Sequence, residues 1–242
     1  MITKLKEVKK QAGFTMSEVL ITLGIVGIIA AMTLPQLIKN YQHKVLQTQF
    51  QKAYAKIQEA YLLTLNELGI SNLSKEIAAC SVQTKFGPEF NAAFHRNLRY
   101  KTKAKDYRIY NYTKNKFWEH RKGSGYPMPV YVLGDGSSYV AFVNSCTIFL
   151  EFDSNGPYKG PNRYGFDVFT FKVSNDGVVP IKSGKLYTEE ELENETWPDE
   201  YAGQPCSVKS KQASNGIGCS YYALNDISPD NNSKTYWKNL PK

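Results

Sequence analysis

The longest apolar stretch of the chain lies close to its N-terminus. Twenty uncharged residues run from Val19 to Ile38 and end where Lys39 begins a strongly polar sequence. As an α-helix, at about 1.5 Å per residue, such a run spans a hydrocarbon core of about 30 Å. One carboxylate, Glu18, stands immediately before it, and a short basic segment lies between Lys4 and Lys10. Because cytoplasmic flanks carry the excess of lysine, the pattern predicts a single-pass membrane segment with its N-terminus in the cytoplasm and the bulk of the chain exported.

A second pattern follows the apolar run. Beyond Pro35, apolar residues recur every three or four positions as far as Leu68, which is typical of an amphipathic helix with a partner on one face. Gly69 is the predicted stop signal. We expect one long helix from Thr15 to Leu68, kinked at Pro35 because proline removes one helical hydrogen bond.

The second half of the chain carries the strand signals. Alternating apolar positions predict the strands Val130 to Leu133, Tyr139 to Val143, Thr147 to Phe152, Phe166 to Val173 and Val178 to Lys182, with hairpin turns at Asp135-Gly136 and Asn175-Asp176-Gly177. We predict an α+β fold in which a long N-terminal helix packs on an antiparallel sheet of four or five strands. Residues 74–80 and 89–95 are expected to form short helical or irregular pieces joined by Gly87-Pro88. The polar tail 226–242 is expected to be mobile.

The junction before the apolar run reads Gly13-Phe14-Thr15-Met16-Ser17-Glu18. It resembles the N-terminus of type IV pilins and of the pseudopilins of type II secretion systems. In that family a short basic leader ends in glycine, phenylalanine usually follows, and glutamate lies four residues further on in an apolar helix. Here these residues are Gly13, Phe14 and Glu18, and Pro35 stands where many family members have a helix-kinking proline.

The resemblance implies a pathway for the chain. A prepilin peptidase cuts between Gly13 and Phe14 on the cytoplasmic side and N-methylates Phe14, and Glu18 then meets the amine of Phe14 on a neighbouring subunit. The expected regions are a leader (1–13), a transmembrane half of the helix (14–38), an amphipathic half (39–69) and an exported globular domain (70–242). The expected location is the bacterial inner membrane with a periplasmic or extracellular domain, and then a fibre. The expected partners are other pilin-like subunits, the peptidase and an inner-membrane assembly platform.

Several roles stay open at this point. Within the family, the chain fits a secretion pseudopilin, a pilus subunit for adhesion or motility, or a DNA-uptake component. From a different class, an ordinary signal peptide cut near Met32 would make it a soluble secreted binding protein, but this leaves Glu18 unexplained. The three histidines are scattered, and neither an H-E-x-x-H motif nor a P-loop is found. We therefore expect an assembly subunit and not an enzyme.

The formal charge of +8 is concentrated in one region. Residues 96–122 contain ten basic and two acidic side chains interleaved with aromatic residues. This composition is used to follow a phosphate backbone and stack bases, although an acidic polysaccharide or an anionic lipid surface would suit it equally. We favour a solvated basic edge whose aromatic rings point into the core over binding to nucleic acid. The candidate anion-binding residues are Arg96, Arg99, Lys101, Lys103, Lys105 and Arg108.

All four cysteines lie in the part predicted to be exported, where disulfides are the default. Cys206 and Cys219 would close a short loop, and the resemblance supports this pair because many pilins carry a C-terminal disulfide-bounded loop. Cys80 would then pair with Cys146 by elimination. Four cysteines allow three pairings, and the sequence does not choose among them.

The loop 153–167 offers oxygen ligands in a glycine-rich turn. Asp153, Asn155 and Asp167 are candidate ligands for calcium, which prefers carboxylate and carbonyl oxygens. Some pseudopilins bind calcium in a loop of the sheet region, so the resemblance agrees. We favour the alternative of a turn-rich connection, because Lys159 and Arg163 add positive charge and asparagine and aspartate stabilise turns. No other cofactor is expected.

Overall fold

The computed structural model describes residues 13–71, 73, 86–118, 129–144, 147–174, 177–183 and 204–241. The chain divides into two compact units, one of residues up to Gln42 and one from His43 onward. The predicted short helical or irregular piece at 74–80 and the predicted partners Cys80 and Cys146 lie outside the described residues. The four predicted regions of the chain stay a prediction.

Helix α1 runs from Met16 to Leu68 with Pro35 inside it, which confirms the long N-terminal helix. The residue after the helix end is Gly69, whose backbone is left-handed with φ of 65°. The Gly69 N–H donates to the carbonyl of Asn66, and the Ile70 N–H donates to the carbonyl of Leu65 at 2.9 Å. This pair of bonds is the Schellman motif, in which glycine adopts the left-handed conformation at no steric cost.

The main sheet has six antiparallel strands. They are β1 (Tyr100–Ala104), β4 (Val130–Leu133), β5 (Ser138–Asn144), β6 (Thr147–Asp153), β7 (Val168–Ser174) and β8 (Gly177–Pro180), adjacent in that order, while β2 (Ile109–Tyr110) pairs with β3 (Phe117–Trp118). The α+β class is therefore confirmed, with six strands in place of four or five. The sequence pattern missed β1 because four of its five residues are exposed and no apolar alternation marks it.

Two more elements differ from expectation. Helix α2 runs from Phe86 to Leu98 and includes Gly87-Pro88, where the sequence pattern predicts a connection. Proline is compatible with the first turn of a helix, where its missing N–H has no helical partner. The tail is ordered, because Trp237 and Tyr236 are buried and their side chains donate to the carbonyls of Ala223 and Gly165.

The core lies on both faces of the sheet. On one face, α1 packs from Phe50 onward, and the ring of Phe50 lies 4.4 Å from that of Phe169 in an edge arrangement. The other face carries a second apolar cluster that includes Val140, Phe142 and Ile217. Aromatic pairs of this kind add about 0.5–1.5 kcal/mol beyond the burial of their area.

Polar side chains of α1 also hold the sheet. Gln58 pairs with the backbone of Val178 in β8, donating to its carbonyl at 2.8 Å and accepting from its N–H at 3.1 Å. The side-chain amide thus satisfies the edge strand β8 as a neighbouring peptide would. Lys56 binds Asp135 in the β4–β5 turn at 2.8 Å.

Candidate functional site at the N-terminus of helix α1

The first turn of α1 is closed by a reciprocal pair of hydrogen bonds between Thr15 and Glu18. The Thr15 hydroxyl accepts from the backbone N–H of Glu18 at 3.2 Å. In return, Oε2 of Glu18 accepts from both the N–H and the hydroxyl of Thr15 at 2.8 Å. This is a capping box, with Thr15 as the N-cap and Glu18 three residues later. Within the described residues, Oε1 of Glu18 accepts no hydrogen bond, and the side chain is exposed.

Our sequence interpretation missed the role of Thr15. The motif Thr-x-x-Glu before an apolar run is a recognised N-terminal signature, so the signal was present. Cleavage after Gly13 would leave Thr15 as the second residue and preserve its amide N–H. The capping box is therefore compatible with both the uncut and the cut chain.

The surface beyond this cap is apolar and exposed. Phe14 is 89 % exposed, and the large apolar side chains from Val19 to Ile38 lie at the surface of the N-terminal unit. Among the described residues, α1 is the one helix long and apolar enough to cross a membrane by its length and composition. Water penalises such a surface, so it requires lipid or other helices around it.

The C-terminal segment contains a disulfide between Cys206 and Cys219, which are 13 residues apart. A loop of this size gives about 3 kcal/mol in the chain-entropy account of disulfide stability. Both cysteines are buried in the main core cluster. Gly165 allows this packing, because a Cβ at that position would lie 2.7 Å from side-chain atoms of Tyr112 and Tyr236.

The predicted calcium ligands Asp153 and Asp167 are buried close enough to interact. Burial, followed by the charge of Asp153, raises the pKa of Asp167 to about 8. Asp167 accepts the backbone N–H groups of Asn162 and Arg163. Asp153 accepts from Tyr107 and from the backbone of Asn155 and Gly156.

These bonds occupy all four carboxylate oxygens and organise the turns of the loop. Arg163, a buried cation beside Asp167, donates to the carbonyl of Tyr112. The described residues contain no group of three or more histidine, cysteine, aspartate or glutamate side chains that would hold a metal ion. The geometry favours the turn-stabilising alternative, and the calcium site stays a prediction.

The basic candidates fall into two groups. Arg96 forms an ion pair with Glu67 in α1, so its charge is compensated. Arg99, Lys101, Lys103, Lys105 and Arg108 are exposed, with Lys103 lying 5.2 Å from the ring centre of Tyr131 and Arg108 lying 4.8 Å from that of Phe117. Of the aromatic residues in the segment, Tyr112 is buried as expected, whereas Tyr100 is 40 % exposed and Phe117 is 36 % exposed.

Residues 8–34 match the family model described as the prokaryotic N-terminal methylation motif. The match is consistent with the type IV pilin and pseudopilin family and implies processing by a prepilin peptidase and pilin-type assembly. It supports a type IV pilin-like precursor, and with α1 it fits a single-pass, membrane-anchored pilin that serves as a structural subunit. No curated protein and no solved structure gave a significant match to the chain.

Proposed function

We propose that this chain is a pilin-like subunit of a type II secretion pseudopilus or a type IV pilus-like fibre. The precursor inserts in the inner membrane and is cut between Gly13 and Phe14, and Phe14 is then N-methylated. The apolar faces of α1 leave the lipid and pack together in the core of the fibre. The match of residues 8–34 to the methylation motif carries this proposal.

The capping box gives Glu18 a double task in this scheme. Oε2 stays bound to Thr15 and keeps the first turn of α1 closed. Oε1 accepts the charged amine of Phe14 from the neighbouring subunit, which sets the axial register of the fibre. A carboxylate in an apolar core without a cation beside it has a high free energy. The register that pairs Glu18 with the amine is therefore favoured over registers shifted along the fibre axis.

The test is the mass of the mature protein. The full chain is produced with a prepilin peptidase, extracted in detergent, and its N-terminal peptide is sequenced by mass spectrometry. We expect N-methylated Phe14 as the first residue. A mature chain that begins near Met32 would overturn the proposal and favour a secreted protein with an ordinary signal peptide. Co-expression with a catalytically inactive peptidase, which should leave the leader attached, is the control.

A further inference from the structure

A strip of exposed cations follows the edge of the sheet. We define the β1 strip as Arg99, Tyr100, Lys101, Lys103 and Lys105, all of which are exposed. Strand β1 is the terminal strand of the six-stranded sheet and pairs with β4 alone within it. Lys101 and Lys103 lie in β1, whose register against β4 shifts between Tyr100 and Thr102, and Arg99 and Lys105 flank the strand at its two ends. The strip thus places four positive charges along one edge of the sheet.

The charge of this strip is available to a partner. None of its four cations forms an ion pair with a carboxylate of the described residues, in contrast to Arg96 beside it, which binds Glu67. Lys103 lies over the ring of Tyr131, a contact that leaves its positive charge uncompensated. When a polyanion binds such cations, it releases its own condensed counterions, so its affinity falls as the salt concentration rises.

Tyr100 adds an exposed aromatic ring near the N-terminal end of the strip. Its ring meets the ring of Tyr131 edge to face, with centres 4.8 Å apart. The ring of Tyr131 packs in turn against the ring of His95, with centres 4.0 Å apart, and against the ring of Tyr139, with centres 5.3 Å apart. Tyr100 is thus supported from beneath while 40 % of it stays exposed. A ring fixed in this way loses little conformational entropy when a flat ligand stacks on it.

We propose that the β1 strip binds single-stranded nucleic acid, with phosphates on Arg99, Lys101, Lys103 and Lys105 and a base stacked on Tyr100. The exposure of Tyr100 favours a single-stranded nucleic acid over other polyanions. If the ring were buried in the core, the edge would offer positive charge alone and would not distinguish between them. A duplex hides the faces of its bases, and an acidic polysaccharide has no flat aromatic face. A positive groove with an exposed aromatic residue is the arrangement that binds single strands with little sequence preference. This property goes beyond fibre assembly and does not depend on it.

The test measures the binding of a fluorescently labelled 15-nucleotide oligo-dT to the full chain in non-ionic detergent by anisotropy. Four phosphate contacts predict a slope of about −3 for the logarithm of affinity against the logarithm of salt concentration. The double variant Lys101→Ala/Lys103→Ala should lower the steepness of this slope by about 1.4. The double variant Lys209→Ala/Lys211→Ala removes the same charge from exposed positions elsewhere and should bind as the wild type does.

Stacking is tested separately from charge. Tyr100→Ala should weaken oligo-dT binding by about 5- to 150-fold with an unchanged salt slope, whereas Tyr100→Phe should retain the affinity. Circular dichroism verifies that each variant is folded, and Tyr100→Phe keeps the ring supporting Tyr131 in place. The wild type should also prefer the single strand to a duplex of equal length by at least about tenfold.

Three results would overturn the proposal. One is the absence of oligo-dT binding at about 50 mM salt, because low salt strengthens phosphate contacts and binding should then be easiest to detect. Another is equal affinity for the single strand, the duplex and a heparin fragment, which would indicate general attraction of polyanions. The third is a folded Tyr100→Ala variant that binds oligo-dT as tightly as the wild type.

Discussion

Thr15 and Glu18 illustrate how one pair of side chains satisfies two requirements at the entrance to an apolar helix. The first N–H groups of any helix lack helical acceptors, and water is not available to replace them within a bilayer. The Thr15 hydroxyl accepts one of these N–H groups, while the Glu18 carboxylate accepts the N–H before the helix. The carboxylate therefore has hydrogen-bond donors within its own chain at this position.

His95 in α2 is the residue for which the structure predicts a clear dependence on pH. Burial, followed by the nearby charge of Lys103, lowers the pKa of His95 from its ordinary 6.5 to about 4. Its Nδ1 lies 2.7 Å from the hydroxyl of Tyr139. Between pH 6.5 and 4, the unfolded chain binds a proton that the folded chain excludes. The contribution of His95 to stability is therefore complete above about pH 6.5 and is lost as the pH falls towards about 4.

We expect the variant His95→Gln to show a smaller loss of unfolding free energy between about pH 7 and about pH 4.5 than the wild type. Urea unfolding of the full chain in detergent at the two pH values measures the difference. Lys103→Ala should also reduce the loss, because it removes a charge that holds the histidine neutral. Equal pH dependence in all three proteins would contradict the lowered pKa of His95.

At the scale of elements, the two edge strands of the sheet are protected from pairing with other strands in different ways. Strand β8 is covered by the side-chain amide of Gln58, which occupies both backbone groups of Val178. Strand β1 instead carries exposed lysines, which discourage pairing with another strand. One edge is thus closed by a hydrogen-bonding partner within the chain and the other by charge.

The variant Gln58→Ala should lower the free energy of unfolding by about 1–3 kcal/mol, because it leaves the N–H and carbonyl of Val178 without their partner in a partly buried place. Chemical denaturation of the full chain in detergent measures this change. Gln51→Ala, at an exposed position of the same helix, is the matched control and should change stability by less than about 0.5 kcal/mol. If the two variants are equally stable, the amide does not support β8.

The elements that the sequence predicted well are those in which a regular pattern of apolar residues marks the buried face. Strands β4 to β8 alternate between two apolar clusters or end at turn glycines, and α1 has its stop signal at Gly69. The sequence pattern did not predict β1, because its lysines lie on an exposed edge and no apolar alternation marks a buried face. The order of the tail was not predicted either, because burial of Trp237 depends on distant parts of the fold that a local pattern does not report.

The site shows the same division between local and distant information. The methylation motif and the capping box each lie within one short continuous segment, so both can be recognised directly in the sequence. In contrast, the exposure of Tyr100 depends on how α2 and β4 stack beneath it. We favoured a basic edge whose aromatic rings point into the core, whereas Tyr100 is 40 % exposed.

At the scale of the whole molecule, the chain has two compact units, and the proposed function makes assembly depend on the charge of Glu18 at the start of α1. We expect Glu18→Ala and Glu18→Gln to be cleaved normally but to give fibre yields lower by about two to four orders of magnitude, since removing one partner of a buried ion pair costs about 3–5 kcal/mol. Sheared-fibre fractions compared with total mature protein on immunoblots measure this yield. Ser17→Ala is the adjacent control.

Glu18→Gln separates the two tasks of the carboxylate. Glutamine retains an oxygen that can accept the N–H of Thr15, so the capping box survives while the negative charge is lost. Normal fibre yield from this variant would remove the ion pair from the mechanism and leave Glu18 as a helix cap.

The lysines of β1 have one more consequence under the proposed function, in which the subunits reside in a membrane before they assemble. Subunits confined to a bilayer diffuse in two dimensions, where their domains meet far more often than they would in free solution. Antiparallel pairing of β1 with β1 of another copy would bring Lys101 and Lys103 of both chains side by side, and like charges facing each other across strands are destabilising. Under the proposed function, the basic edge would therefore disfavour association of membrane-bound subunits through their sheets before they assemble into a fibre.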